Sequence, residues 1–455
     1  MAPHAAAAAG TAGDAAQKAV IEGTLTVANV AANRTRCALP KGVAAFSDSN
    51  MFKSAPSTLK QVALYMGPSV ISLGGGLPSQ EYFPFHEISV KAPSPRQFAD
   101  PAPANPECVF SSTKHDVADG TSDFDLEVAL NYGQSVGYAA LVRWITEHVE
   151  IVHNPPYGDW EITMAPGSTQ GWDFVLRMLC KPGDMILTEE YTFCSAMEGA
   201  AAQGVTPFPV KVDAEGLLAT SLDEILTNWD PAAHGSARKP SCSTPSPPAR
   251  TQRAPRRAPN DAGSLQTLIP SYLSMDTDGR VIRLDSFSKV LSPGSRVSFL
   301  VSSAQFTGRM IRQAETSTQA PSGMAQIILY KLLDESWGHE GYLKWLIHIR
   351  IEYTKRRNCI MDACEEFLPK AVASCNPPTA GMFQGKDHKA IEEMIFLAAV
   401  DAGVLVSRGS WFLADQSATE EDMFFRSTFA AAPADKIREA IRRFGEVLKA
   451  QFNIQ

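Results

Sequence analysis

From Asp285 to Arg296 the chain reads Asp-Ser-Phe-Ser-Lys-Val-Leu-Ser-Pro-Gly-Ser-Arg. Lys289 stands among small hydroxyl residues, and Arg296 follows on the far side of a Pro-Gly turn. A lysine amine so placed can condense with an aldehyde as a Schiff base. The hydroxyls of Ser286 and Ser288 can bond a phosphate, and a guanidinium can fork onto two phosphate oxygens at once. An aldehyde and a phosphate carried by one small molecule describe pyridoxal phosphate. A lone Ser-x-x-Lys reads as an ordinary surface turn, but in this string each residue type has a task in one site.

Those residues need elements to hold them. A strand pattern, Val281, Ile282 and Leu284, runs into the lysine turn, and a second one leaves it at Val297, Phe299 and Val301. A second candidate phosphate turn lies upstream. There a strand, Trp160 to Met164, meets the polar turn Ala165-Pro166-Gly167-Ser168-Thr169-Gln170-Gly171. The helix after it carries Trp172, Val175, Leu176 and Leu179 on one face. This order leaves free N–H groups at a helix N-terminus, a ready anion site. Further strands are expected at Met185–Glu189 and Val205–Val212. Helical faces are expected on Leu141, Trp144, Ile145, Val149 and Val152 and again over residues 221–229. The repeating strand–helix order from 137 to 229 predicts an α/β fold with a mostly parallel sheet.

The lysine string resembles that of the fold-type I pyridoxal-phosphate aminotransferases, and within them the fungal aromatic and 2-aminoadipate aminotransferases. The resemblance covers about 50–235 and 265–450. It implies a large domain with a mostly parallel sheet and a smaller α+β domain. It also implies that Lys289 is the catalytic lysine and that Ser286, Ser288, Arg296, Ser168 and Thr169 hold the cofactor phosphate. Phe193 would stack on the cofactor ring, where a tyrosine is commoner. Tyr132, in Asn131-Tyr132-Gly133, would reach the partner subunit's cofactor phosphate in a homodimer. Gly76 falls in ISLGGGLPSQEYFPF, similar to the family's substrate-access segment. Arg426, in FFRSTFAAAP, would point inward and fork onto a substrate α-carboxylate. The implied reaction is transamination of an aromatic or 2-aminoadipate-like amino acid with 2-oxoglutarate as acceptor. The alternatives are another pyridoxal-phosphate enzyme of the same fold, or a catalytically impaired or non-enzymatic paralogue. One residue departs from the family at the lysine turn itself: Ser298, where glycine is usual.

Composition narrows the class. With 455 residues, 44% of them hydrophobic, the chain can build a large core. A net charge of -8 argues against nucleic acid or an anionic membrane surface as the main partner. The eight cysteines (37, 108, 180, 194, 242, 359, 364 and 375) show no zinc or CxxC spacing and read as reduced thiols without a metal. Residues 1–45 read as a disordered tail. A mitochondrial transit peptide is the alternative, weakened by Asp14 and Glu22, so the expected compartment is cytoplasmic. The expected divisions are an arm and part of the small domain over 46–127, a large cofactor domain over 128–320, and a small domain over 321–455. Residues 89–127 read mostly as loop.

Residues 235–264 do not fit. Proline, serine and arginine dominate them, and apolar periodicity vanishes. The family pattern requires two features before the lysine: a Pro-Thr-Gly-x-Asn-Pro turn, and a strand ending in the aspartate that pairs with the cofactor's ring nitrogen. Neither occurs between Phe193 and Lys289. The Asp–ring pair keeps the nitrogen protonated so that the ring can absorb charge. Its loss costs several kcal/mol at the transition state, on the order of a thousandfold in rate. A second shortfall follows Phe383, where Gln384-Gly385-Lys386 interrupts a small-domain strand. Because both flanks match the family, the segment is read as the product of a shifted reading frame or splice. Sequencing the transcript across codons 230–270 is expected to reveal the shift, and an unbroken transcript encoding these residues would refute it.

Overall fold

The computed structural model describes residue 76 and residues 78–98, 107–212, 216–240, 243–244, 270–376, 380–384, 388–416 and 422–454. The expected tail, most of the substrate-access segment before Pro78 and most of the irregular segment lie outside these. In chain order the strands are β1 (Glu87–Pro93), β2 (Glu107–Thr113), β3 (Trp160–Ala165), β4 (Met185–Glu189), β5 (Thr206–Val210), β6 (Ser243–Thr244), β7 (Arg283–Ser286), β8 (Ser298–Ser303), β9 (Ser374–Asn376), β10 (Ala380–Gln384), β11 (Ser407–Arg408) and β12 (Asp422–Arg426). The longer helices are α1 (Ala139–His153), α2 (Ser168–Leu179), α3 (Cys194–Ala202), α4 (Ala219–Thr227), α5 (Ala304–Thr316), α6 (Gly323–Tyr330), α7 (Gly338–Phe367), α8 (His388–Asp401) and α9 (Ala434–Phe452). Among the described residues no helix is long and apolar enough to cross a membrane.

The chain divides into two compact units, Met1–Leu179 with Gly263–Ile347 and Cys180–Ala262 with His348–Gln455. These bounds differ from the expected 128–320 and 321–455, since residues 180–262 group with the C-terminal part.

In the first unit β8 lies between β3 and β7 and runs against both. All six of its residues are buried, because the central strand is covered on both faces and alternation has nothing to select. Trp144, Ile145, Met164, Phe299, Val301, Ile327 and Tyr330 share one core. On α1 the expected face is borne out, with Leu141, Trp144, Ile145 and Val149 buried. Burying one such side chain is worth roughly 1.5–3 kcal/mol. β7 has no second neighbour among the described strands. The expected loop over 89–127 contains, instead, an antiparallel pair, β1 with β2, in register from Glu87↔Thr113 to Pro93↔Glu107. Its ladder bonds form whatever the side chains are. β1 does alternate, with Ile88, Val90 and Ala92 half-buried and Glu87, Ser89 and Lys91 exposed, but it is short and β2 carries three apolar residues in a row, so the pair is hidden in a proline- and serine-rich stretch.

The second unit holds two sheets. β4 is parallel to both β5 and β6. The other sheet runs β11-β12-β10-β9, with every pairing antiparallel. Of the described pairings those of β4 are parallel and the others antiparallel. Ile395, Ala399, Met423, Phe425, Phe444 and Leu448 form a core beneath the antiparallel sheet. The terminal helix buries Ile437, Ile441, Phe444 and Leu448, as its spacing predicts.

The first unit also buries a stack of rings. Trp144, His148 and His339 lie near-parallel in one cluster: Trp144 is 5.3 Å from His148 and 4.7 Å from His339, at interplanar angles of 4° and 12°, and the two histidine rings are 6.2 Å apart. Burial holds both His148 and His153 neutral, with pKa values of about 3. A histidine depressed in this way favours the folded state fully above its unfolded pKa of about 6.5, and that stability drains away as pH falls from there toward 3. The carboxyls of Glu147 and Asp116 lie below their usual range, through bonds that outweigh their burial, so their contribution is lost only at more acid pH. The urea midpoint is therefore expected to fall between pH 7 and pH 5. His148→Phe, which keeps the stacked ring without the proton site, should flatten that fall; an unchanged slope would contradict the assignment.

Candidate active site

The lysine turn is pinned by its apolar residues. β7 ends at Ser286, and the tight turn Phe287–Lys289 follows. Phe287 is buried against Phe299, with ring centroids 5.7 Å apart. The Trp345 indole donates to the Val290 carbonyl at 2.7 Å. The Ser286 hydroxyl oxygen accepts from the Ser288 N–H at 3.0 Å and caps the turn. With Phe287 anchored inward, Lys289 is left exposed.

A second tight turn, Pro293–Ser295, delivers Arg296. That residue is left-handed, with φ of 51°, an uncommon conformation for anything but glycine. Its guanidinium donates to the carbonyls of Pro293 (3.2 Å) and Pro166 (3.4 Å). It lies against Gly167, where an added Cβ would overlap Arg296 Nη2, and the φ of 93° there also requires glycine. Ser298, the departure from the family, donates its hydroxyl to the Ala165 carbonyl at 3.0 Å and so ties β8 to the same turn. Gly167 directly precedes α2, whose first residues are Ser168 and Thr169. Its carbonyl accepts from the N–H groups of Gln170 and Gly171.

The result is a guanidinium laid against the positive end of a twelve-residue helix. Among the described residues no carboxylate pairs with Arg296. Two uncompensated positive ends side by side call for an anion. The donor set of guanidinium, helix N-terminus and nearby serine and threonine hydroxyls suits a phosphate monoester, and an exposed amine stands on the same strap. The ring-nitrogen side is different. Asp276 spends its carboxylate on the N–H groups of Asp278, Arg280 and Val281 at 2.9–3.1 Å. Asp278 pairs with Arg280 at 3.3 Å, and Asp230 caps the N–H of Ala232 at 2.9 Å. Asp261 lies outside the described residues. The described acids before Lys289 that could have served are thus engaged locally.

Phe193 and Arg426 lie in the second unit and share one strip of it. The Thr192 N–H donates to the Phe412 carbonyl at 2.7 Å, and the Ala414 N–H to the Glu190 carbonyl at 2.8 Å. Tyr191 meets Phe424 edge-on, with centroids 4.4 Å apart. Phe193 sits at the start of α3, 47% exposed. Arg426 ends β12 and is exposed rather than inward. Met423 and Phe425 take the buried face of that strand, so Phe424 and Arg426 take the other. The Arg426 guanidinium lies 5.1 Å over the ring of Phe412, a residue that sits in no motif. Tyr132 is 74% exposed and Gly76 is exposed, and the described bonds bring neither to the lysine turn.

Known proteins agree with this architecture. The family model for aminotransferase class I and II matches residues 258–444. An aromatic amino acid aminotransferase of Schizosaccharomyces pombe is 38% identical, over 87% of this chain and 95% of its own. The mitochondrial kynurenine/alpha-aminoadipate aminotransferase of Bos taurus is 30% identical, over 87% and 96%. Among solved structures, the aminotransferase Aro8 of Candida albicans superposes with a TM-score of 0.78 at 32% identity, covering 89% of this chain and 98% of that one. The chain therefore belongs to the class I and II aminotransferases, with the fold-type I architecture of that family.

Gly167→Ala is expected to push Arg296 off the helix end. Pyridoxal phosphate affinity, titrated by absorbance, should fall by about tenfold or more, the equivalent of losing one charge-assisted contact. Unchanged affinity would remove Gly167 from the site.

Proposed function

We propose that this chain is a pyridoxal-phosphate-dependent aminotransferase acting on an aromatic or 2-aminoadipate-like amino acid, with 2-oxoglutarate as acceptor. The observation that carries the reading is the unpaired Arg296 guanidinium against the N-terminus of α2, on the same strap as an exposed Lys289. The names of the Schizosaccharomyces pombe and Bos taurus relatives support the substrate class. Ser168, Thr169, Ser286, Ser288 and Arg296 would hold the phosphate, and Phe193 the ring face. When bound, the cofactor supplies an aldehyde for amino groups and a ring that spreads negative charge. Lys289 Nζ would take the proton from the substrate α-carbon and deliver it on the cofactor side. Arg426 would fork onto the α-carboxylate. The exposed Tyr132 fits a homodimer contact, and the cytoplasm is the proposed compartment.

The impaired-paralogue reading rests on the missing ring-nitrogen acid, and the coding sequence bears on it. From the third base of the Lys239 codon, the codons open to residues 239–254 admit Ala-Val-Leu-Leu-Tyr-Thr-Val, then Pro-Thr-Gly-Gln-Asn-Pro-Thr-Gly. That is a β-prone apolar run closed by the asparagine-bearing turn the family pattern requires. A frame shift near Lys239 accounts for both the proline-rich composition and the lost turn. Replacing residues 235–264 with the matching segment of the Schizosaccharomyces pombe relative is expected to raise phenylpyruvate formation from phenylalanine and 2-oxoglutarate by about a thousandfold. Lys289→Ala in the same chimera should abolish it. A chimera no faster than the parent would favour the impaired paralogue.

A further inference from the structure

Arg426 is the candidate carboxylate anchor, and among the described residues no acid forms an ion pair with it. What supports it is the Phe412 ring, and Phe412 closes the short turn Gly409–Phe412 between β11 and β12. A guanidinium lying on a ring face keeps its edge N–H groups free to fork onto a carboxylate. The placement of that turn therefore decides where the fork stands.

The turn is fixed from three sides. Glu392 of α8 is only 3% exposed, yet it carries a carboxylate. It accepts from Arg408 Nε at 3.0 Å, from the Ser410 N–H at 3.0 Å, and from the Ser410 hydroxyl. A buried carboxylate is tolerated only when bonded in this way, so these contacts act together. Arg408 also faces Glu393 at 3.7 Å. Gly409 lies directly on β12, where an added Cβ would stand 2.5 Å from the Phe424 carbonyl oxygen. The Phe412 carbonyl accepts from Thr192, the residue before Phe193.

We propose that Glu392 is a positioning residue for carboxylate recognition. Through Arg408 and Ser410 it holds the 408–412 turn so that Phe412 supports Arg426. This rests on the reading of Arg426 as the carboxylate anchor. Glu392 itself touches no substrate.

The test uses full-length protein saturated with pyridoxal phosphate and needs no turnover. Phenylglyoxal labelling of Arg426 is followed by peptide mass mapping while 2-oxoglutarate is titrated in, with Arg442 on α9 as internal reference. In the parent chain 2-oxoglutarate should protect Arg426. In Glu392→Gln the half-protecting concentration should rise about five- to tenfold, the range of a cation–π support lost at a partly desolvated site. Pyridoxal phosphate affinity and Arg442 labelling should not move. Phe412→Leu, which leaves the Glu392 bonds in place, should reproduce the shift if Glu392→Gln folds poorly. Parent-like protection in either folded variant overturns the proposal while leaving Arg426 as anchor. No protection in the parent overturns both.

Discussion

The site is organised by a positive charge that no described carboxylate answers. Arg296 lies across Gly167 at the mouth of α2 and, among the described residues, bonds only carbonyl oxygens. Both residues adopt left-handed backbone, with φ of 51° and 93°, and only the glycine does so cheaply. Such strain persists where surrounding structure imposes it. Here buried β8 and Phe287 impose it from one side, and the β3–α2 turn, tied by Ser298, from the other. A bound dianion would lower the cost of holding these positive ends together. The same core that folds the first unit thus presents its anion site.

The second unit presents a different surface. Its exposed strip carries an aromatic at a helix start and a guanidinium resting on a ring, a combination that suits an amphipathic substrate with a carboxylate at one end. The backbone bonds joining residues 190–193 to 412–414 make Phe193 and Arg426 parts of one scaffold. On the proposed reading of Arg426 as carboxylate anchor, recognition there would depend on a turn held by a buried carboxylate.

Much of this was legible in the sequence, for identifiable reasons. The lysine turn announces itself because chemistry constrains each residue type in it. α1, α2 and α9 are legible because an amphipathic face must repeat at the helical period. β1 and β2 are hard to read because each is short, the stretch around them is rich in proline and serine, and the apolar run Cys108-Val109-Phe110 breaks the alternation of β2. The exposure of Arg426 was misjudged because a strand's two faces cannot be told apart until one is seen to be buried. Phe412 and Glu392 were invisible, since their roles come from contacts across a sheet and carry no local pattern. Gly167 was noted only as part of a polar turn; its positive φ and its contact with Arg296 exist only in three dimensions.

The irregular stretch after Lys239 is the place where local sequence and global fold disagree. Natural chains are consistent across these levels except at sites under special demand. A proline- and arginine-rich run where a buried strand is due meets no such demand, and a shifted frame explains it without altering the flanks.

On the proposed reading this chain holds pyridoxal phosphate through its own anion cradle, with Lys289 at the aldehyde. Reducing the cofactor-treated protein with borohydride and mapping the peptides by mass tests it directly. The pyridoxyl group is expected on Lys289 alone, with the label lost when Arg296 is changed to glutamine and cofactor is kept at low concentration. Label scattered over other lysines, or absent from Lys289 at saturating cofactor, would contradict it.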